Sequence, residues 1–284
     1  MAIKMMLRTK AAFRLALCLS VSACTGSHEK FTATSDGSNV LNVADAAIAG
    51  GNVNMALNIS RSVLARDPHN LDALYHEGAA YYAMGRCEDA IAAYQRALQS
   101  DPHSSQAQTG IGRCLIRRNA LEAERAFTSA VADDPDNAAA QSDLGVARAL
   151  GGDFNGAIEP LQKSLLLAPG NTATETNLGL VLALSGDSAD ALQYLGPLAI
   201  SPNATPKVRA DYALALVGAG RQDEAWHVLA VDLPPDKLRA ALHGYEALLS
   251  YQTKPDHKAD RATQAVRPPT DDAPNVQLAN EATF

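Results

Sequence analysis

The sequence predicts an all-α protein, a solenoid of about six helix-turn-helix repeats closed by a C-terminal capping helix. Four series of residues predict it. Pro68, Pro102, Pro135, Pro169 and Pro202 recur at spacings of 34, 33, 34 and 33. Ala56, Ala90, Ala123, Ala157, Ala191 and Ala225 keep the same period. So do the small residues Ala44, Gly78, Gly112, Gly145, Gly179 and Ala213, and the turn residues Gly51, Gly85, Asn119, Gly152, Gly186 and Gly220. Independent series sharing one period of about 20–50 residues mark a repeat architecture, in which each unit buries its apolar face only by stacking on the next.

The chain has 284 residues, 47% hydrophobic and 19% charged, enough for one large or two small cores and too polar for a polytopic membrane protein. Its formal charge of −7 becomes −11 without residues 1–23, which hold Lys4, Arg8, Lys10 and Arg14 and no acid. Nucleic-acid binding is therefore disfavoured, since phosphate contacts need a basic face.

Those four cations precede a short apolar stretch, Leu15–Ala23, the pattern of a secretory signal. At about nine residues it falls far short of the roughly 20 that a permanent membrane span needs. Val21-Ser22-Ala23-Cys24 resembles a bacterial lipobox, which implies a signal peptide over 1–23, lipidation at Cys24 and membrane contact through that lipid only. Cleavage after Ala23 without lipid is the alternative. Thr25 rather than Asp after the cysteine implies, by resemblance to Gram-negative lipoprotein sorting, an outer-membrane anchor facing the periplasm. Residues 25–40 are rich in Ser, Thr, Gly and Asn, and 24–36 read as a flexible tether.

Over 37–250 the units run approximately 37–70, 71–104, 105–137, 138–171, 172–205 and 206–234. In each, the first-helix Gly or Ala lets the second helix approach through its Ala, as Gly78 facing Ala90. The residue seven positions later supplies the left-handed conformation that ends the first helix, with Asn119 as the non-glycine substitute. The proline stops the second helix, because the residue before a proline avoids the helical region. Asp236–Ser250 places Leu238, Leu242, Tyr245, Leu248 and Leu249 at helical spacing, suited to cover the last repeat. Residues 251–284, with four prolines and little periodicity, read as a disordered tail. Cys87 and Cys114 fall on helix positions that usually hold small apolar residues and read as buried thiols, with a disulfide the alternative.

No catalytic constellation emerges. Gly110-Ile111-Gly112 lacks the third glycine of a dinucleotide loop, no zinc-protease or serine-hydrolase motif occurs, and His69, His76 and His103 have no second ligand at a metal spacing. The expectation is no enzyme, no cofactor, no metal and no small-molecule substrate.

In Leu71–Ser104, Leu74, Gly78, Tyr81, Gly85, Ala90, Tyr94, Ala97 and Pro102 stand on signature positions, and there the sequence resembles the tetratricopeptide repeat family. The signature tryptophan is absent from all units, Arg148 replaces an aromatic, and one residue is missing between Asn119 and Ala123. The resemblance implies a right-handed superhelical solenoid whose first helices line a concave groove for a protein segment. Carried over by position, the groove presents Asp72, Tyr75, Tyr82 and Ala83 in the second unit and Gln106, Thr109, Arg113, Ile116 and Arg117 in the third. Farther along it presents Ser142, Val146, Leu150, Leu180, Ala183, Leu184, Leu214 and Val217, an apolar half. Tyr82 packed on a neighbouring repeat and Arg113 and Arg117 merely solvated are the alternatives.

Lipobox and repeats, together with Asn177-Leu178-Gly179-Leu180, the run Val208–Leu216 and Asp232-Leu233-Pro234-Pro235-Asp236, resemble the TadD lipoproteins of tight-adherence (Flp) pilus systems over approximately residues 15–250. That resemblance implies a pilotin-like assembly factor whose partner is a secretin or another pilus-assembly component. A lipoprotein adaptor for peptidoglycan enzymes and a scaffold in polysaccharide export stay open as other classes.

Overall fold

A computed structural model describes residues 37–252. The expected signal peptide 1–23, Cys24 with the tether, and residues 253–284 of the expected tail lie outside the described residues. Thirteen helices and no strand make up the described chain: α1 (Gly37–Ala49), α2 (Val53–Leu64), α3 (Leu71–Ala83), α4 (Cys87–Ser100), α5 (Ser105–Leu115), α6 (Ala120–Asp133), α7 (Ala138–Leu150), α8 (Phe154–Leu167), α9 (Thr172–Ser185), α10 (Ser188–Ala199), α11 (Pro206–Gly218), α12 (Gln222–Leu229) and α13 (Pro235–Gln252). It is an all-α repeat solenoid with six helix pairs, as the sequence period predicts. Each odd-numbered helix packs against the next odd one as well as its sequence neighbours, whereas no two even-numbered helices pack to a comparable extent. The odd helices are thus the tight inner layer. No helix among the described residues is long and apolar enough to cross a membrane.

The second to sixth units each start on a capped helix. Asn70, Ser104, Asn137 and Asn171, each two residues after a repeat proline, accept from the backbone N–H of Ala73, Ala107, Ala140 and Thr174 at 3.0–3.2 Å. These side chains satisfy N–H groups that a helix start otherwise leaves unpaired, each worth about 1 kcal/mol. Asp101 and Asp134, before their prolines, are extended at φ −135° and −138°, so α4 and α6 stop where the sequence requires.

Two expectations need correction. Asn119 is not a left-handed cap: it is extended at φ −154°, and its side chain caps α6 by accepting from Glu122 N at 3.2 Å. Gly51, Gly85, Gly152, Gly186 and Gly220 all have positive φ and precede the cap residue by one, so the residue missing from the third unit is the turn glycine itself. Second, the small first-helix residues make room for a bulkier group than alanine. A Cβ on Gly78, Gly112, Gly145 or Gly179 would stand 2.5 Å from Tyr94, Phe127, Leu161 or Leu195 respectively, each four residues beyond the ladder alanine. Those alanines are themselves fully buried. The pairing is large-into-hole, with alanine sealing the seam one turn away.

The apolar C-terminal half of the groove is also corrected, because α13 packs on α9 as well as on α11 and α12. Leu180, Ala183, Leu184 and Leu214 lie in one buried cluster with Tyr245, Leu248 and Leu249 against it, and Val217 packs in the cluster that holds Leu238, flanked by Leu242. A terminal repeat has no following unit to cover its apolar face, so the last helix lies across it and reaches one unit farther back. Helix α9 is buried around its whole circumference, as expected of a helix enclosed on every side. Ile116 and Val146 are core as well, packed with Phe127 and Leu144.

Under α13, Asp211 is 9% exposed, its carboxylate 2.6 Å from Lys207 Nζ. Burial pushes its carboxyl up to about 6, with Lys207 opposing the rise. A folded value above the unfolded one favours the protonated form. This contribution to stability is therefore full below the ordinary carboxylate value and lost as pH rises through about 6. Asp211→Asn is expected to flatten stability between pH 4 and 7, a span worth about 2–3 kcal/mol. Urea unfolding followed by circular dichroism across that range checks it; an unchanged slope would exclude Asp211 as its source.

Candidate functional site

The inner layer opens into a cleft of about 590 Å³ across α3, α5 and the starts of α5 and α7. A second hollow of about 410 Å³ lies between α1, α3 and α5 and shares Tyr75, Ala79 and Gln106 with the first, so the two form one trough over the N-terminal units.

The wall along α3, α5 and the start of α7 carries polar groups that are held in place, whereas Ala46, Ile48, Ala49 and Ala79 make the α1 end mainly apolar. Tyr75, half-buried on α3, has its hydroxyl 2.7 Å from Ser104 Oγ, and burial raises its phenol above the ordinary value. Asn137 Nδ2 donates to Ser105 Oγ at 2.9 Å, tying the start of α7 to that of α5. Thr109, buried, donates to the Ser105 carbonyl at 2.7 Å. His76 stands between Asp45 (Nε2 to Oδ1, 2.7 Å) and the Asp72 carbonyl (Nδ1 to O, 2.5 Å). His103 lies 2.8 Å from Asp133, which holds its imidazole above and the carboxyl below their ordinary ranges.

Arg113 is not a free anchor. Its Nε donates to Asp143 Oδ2 on α7 at 2.6 Å, and the side chains are only 19% and 13% exposed. Burial works against the charge on Arg113 but the adjacent Asp143 outweighs it, and burial pushes the Asp143 carboxyl up against the pull of Arg113. Tyr82, half-buried, belongs to the same cluster, where burial raises its phenol and Arg113 opposes the rise.

Of the residues expected in the groove, Tyr75, Gln106, Thr109 and Arg113 line the cleft. Asp72 is exposed and does not line it; Arg117 and Leu150 are exposed elsewhere, and Ser142 lies 3.1 Å from Thr174 Oγ1 between α7 and α9. Sequence reasoning missed Tyr94, Asp101, His103, Ser104, Ser105, Asp134 and Asn137, all of which line the cleft. Tyr94 comes from an even-numbered helix. Its ring passes between Gly78 and Gly110 and closes the floor, because a Cβ on either glycine would overlap it. The doublet Gly110-x-Gly112 was the available signal: Gly110 admits Tyr94 and Gly112 admits Phe127. The junction residues had a signal too, the Pro-x-Asn/Ser spacing that caps α3, α5, α7 and α9.

The cleft offers carboxylates at Asp101 and Asp134, amides at Gln106 and Asn137, and a phenol at Tyr75. With Arg113 already neutralised by Asp143, this surface suits a polar segment bearing cations and main-chain hydrogen-bonding groups. No cluster of three potential metal ligands occurs among the described residues.

Residues 41–104, 75–127 and 117–172 match the tetratricopeptide repeat family model. The Protein CTR9 homolog of Arabidopsis thaliana is 34% identical over 101 residues, 35% of this chain and 9% of that protein, so the chain aligns with under a tenth of that relative's length. Among solved structures, Pseudomonas aeruginosa PilF is similar with a TM-score of 0.58 at 17% identity, covering 80% of this chain and 97% of that one. PilW, a widely conserved type IV pilus biogenesis factor, has a TM-score of 0.58 at 22% identity over 72% and 98% of the two chains. YrrB, a protein of the same repeat type with an unusual peptide-binding site, has a TM-score of 0.56 at 18% identity over 66% and 97%. At these identities the likeness is one of fold.

Proposed function

We propose that the described chain is a tetratricopeptide-repeat solenoid that works as a protein-binding module, capturing a partner segment in the cleft of its N-terminal units, and that it acts in assembling a tight-adherence (Flp) pilus. The observation that carries the binding reading is the trough over α1, α3, α5 and α7, polar toward α7 and apolar toward α1, which the described residues leave uncovered where α13 has closed the rest of the inner layer. The partner is a secretin or another pilus-assembly protein. The lipobox-like Val21-Ser22-Ala23-Cys24 supports an outer-membrane lipid anchor at Cys24 that keeps the trough beside the membrane. The chain works by binding alone, without cofactor or substrate turnover.

The test uses cells carrying the native chain, Cys24→Ala or Gln106→Arg at equal expression, with multimeric secretin measured in outer membranes. Gln106 is exposed on both hollows, so a longer cation there obstructs the trough without disturbing the core. Loss of multimers with Cys24→Ala and with Gln106→Arg is expected. Unchanged multimers in both variants would overturn the pilus role. Retained multimers with Gln106→Arg alone would move the binding surface away from the trough.

A further inference from the structure

Two cysteines that play no part in the cleft meet in the third dimension. Helices α4 and α5 are joined by four residues and pack side by side, so the first residue of α4, Cys87, returns next to the last turn of α5, where Cys114 lies. Glu88 and Arg118 close the same seam one step outward, Nη1 to Oε1 at 2.6 Å. Cys114 is 3% exposed within the core cluster of Leu74, Tyr81 and Tyr94, and half-buried Cys87 packs against that cluster from its edge. Neither lines either hollow.

We propose that Cys87 and Cys114 are a dithiol–disulfide pair that reversibly staples α4 to α5, closed by exchange with a disulfide oxidant and opened by a thiol. Exposure sets the order of events. The Cys87 thiolate attacks one sulfur of the oxidant, breaking its S–S bond, releasing one thiolate and leaving a mixed disulfide on Cys87. Cys114 then loses its proton to the released thiolate or to water and attacks the Cys87 sulfur, expelling the second thiol. Two cysteine thiols are oxidised and one disulfide is reduced to two thiols. Burial, and the adjacent Cys87, push the Cys114 thiol above its ordinary value, so the second step is the slow one. A disulfide here would fix the junction between the second and third units, the two that contribute most of the trough.

The experiment treats the purified full chain with oxidised glutathione at neutral pH, quenches by alkylation and maps tryptic peptides, residues 87–96 and 114–117 each carrying one cysteine of the pair. The expected result is a cross-linked 87–96/114–117 peptide, lighter than the two free peptides by two hydrogens and separated by dithiothreitol, with loss of alkylation at both cysteines. Cys114→Ser is expected to accumulate the glutathione adduct on Cys87, whereas Cys87→Ser leaves Cys114 without adduct while the fold persists by circular dichroism. Recovery of both wild-type peptides as separate alkylated species from folded protein would overturn the pairing, as would cross-links running only to Cys18 or Cys24. The wild-type mapping decides the matter even if a variant fails to fold.

Discussion

Replacing Asp143 by Ala is expected to destabilise the third and fourth units by about 3–5 kcal/mol, because it strips the counter-ion from a guanidinium that has little access to water. Arg113 on α5 and Asp143 on α7 tie adjacent units, and their mutual attraction offsets a desolvation cost that each would otherwise bear alone. Removing one partner leaves that cost uncompensated. Removing both restores an apolar contact, so Arg113→Met with Asp143→Leu is expected to recover most of the loss. In a repeat array the effect is local before it is global, so amide hydrogen exchange in α5 and α7 is the appropriate measurement. A loss under 1 kcal/mol for Asp143→Ala would mean that water reaches Arg113 freely.

The second large effect concerns the floor of the cleft. An alanine in place of a helical glycine normally stabilises by about 1 kcal/mol. At Gly110 the added methyl would occupy the space of the Tyr94 ring, whose displacement costs about 3 kcal/mol by overpacking and lost burial. The steric term wins, and Gly110→Ala is expected to be destabilising by about 2 kcal/mol net. Gly244→Ala on α13 is the control, since nothing lies within 4 Å of the added methyl, and it should stabilise by about 1 kcal/mol. Combining Gly110→Ala with Tyr94→Leu should cost less than the sum of the two, because the second change vacates the space the first one needs. Additive losses in urea unfolding would show that Tyr94 does not thread between the glycines.

The repeat period made the helix pairs, their order and the closing helix readable in the sequence, because each series answers to one local constraint: a stop before proline, a seam alanine, a hole for a large side chain. What it could not convey was which side chain enters which hole. Gly78 was paired with Ala90, yet the contact is with Tyr94, one turn along the same helix. Carrying groove positions from unit to unit assumed an open inner face everywhere, and that assumption failed at Leu180 and Leu184, where α13 returns over the layer. At Arg113 the position was correct and the availability was not, since its partner Asp143 is 30 residues away and follows no family signature. The junction residues Ser104 and Asn137 stand on none of the repeat series; their capping duty and their place on the cleft wall are the same fact seen from two sides.

The reach of α13 back to α9 separates two lengths that a repeat protein usually keeps equal. Six helix pairs set the size of the core, but among the described residues only those ahead of α9 leave their inner helices uncovered, so the span a partner can follow there is set by where α13 comes to rest rather than by how many repeats the chain contains. A repeat inserted ahead of Ala138 would lengthen that track by one unit. The same repeat inserted just before α13 would lengthen it only if α13 advanced with the chain and released α9.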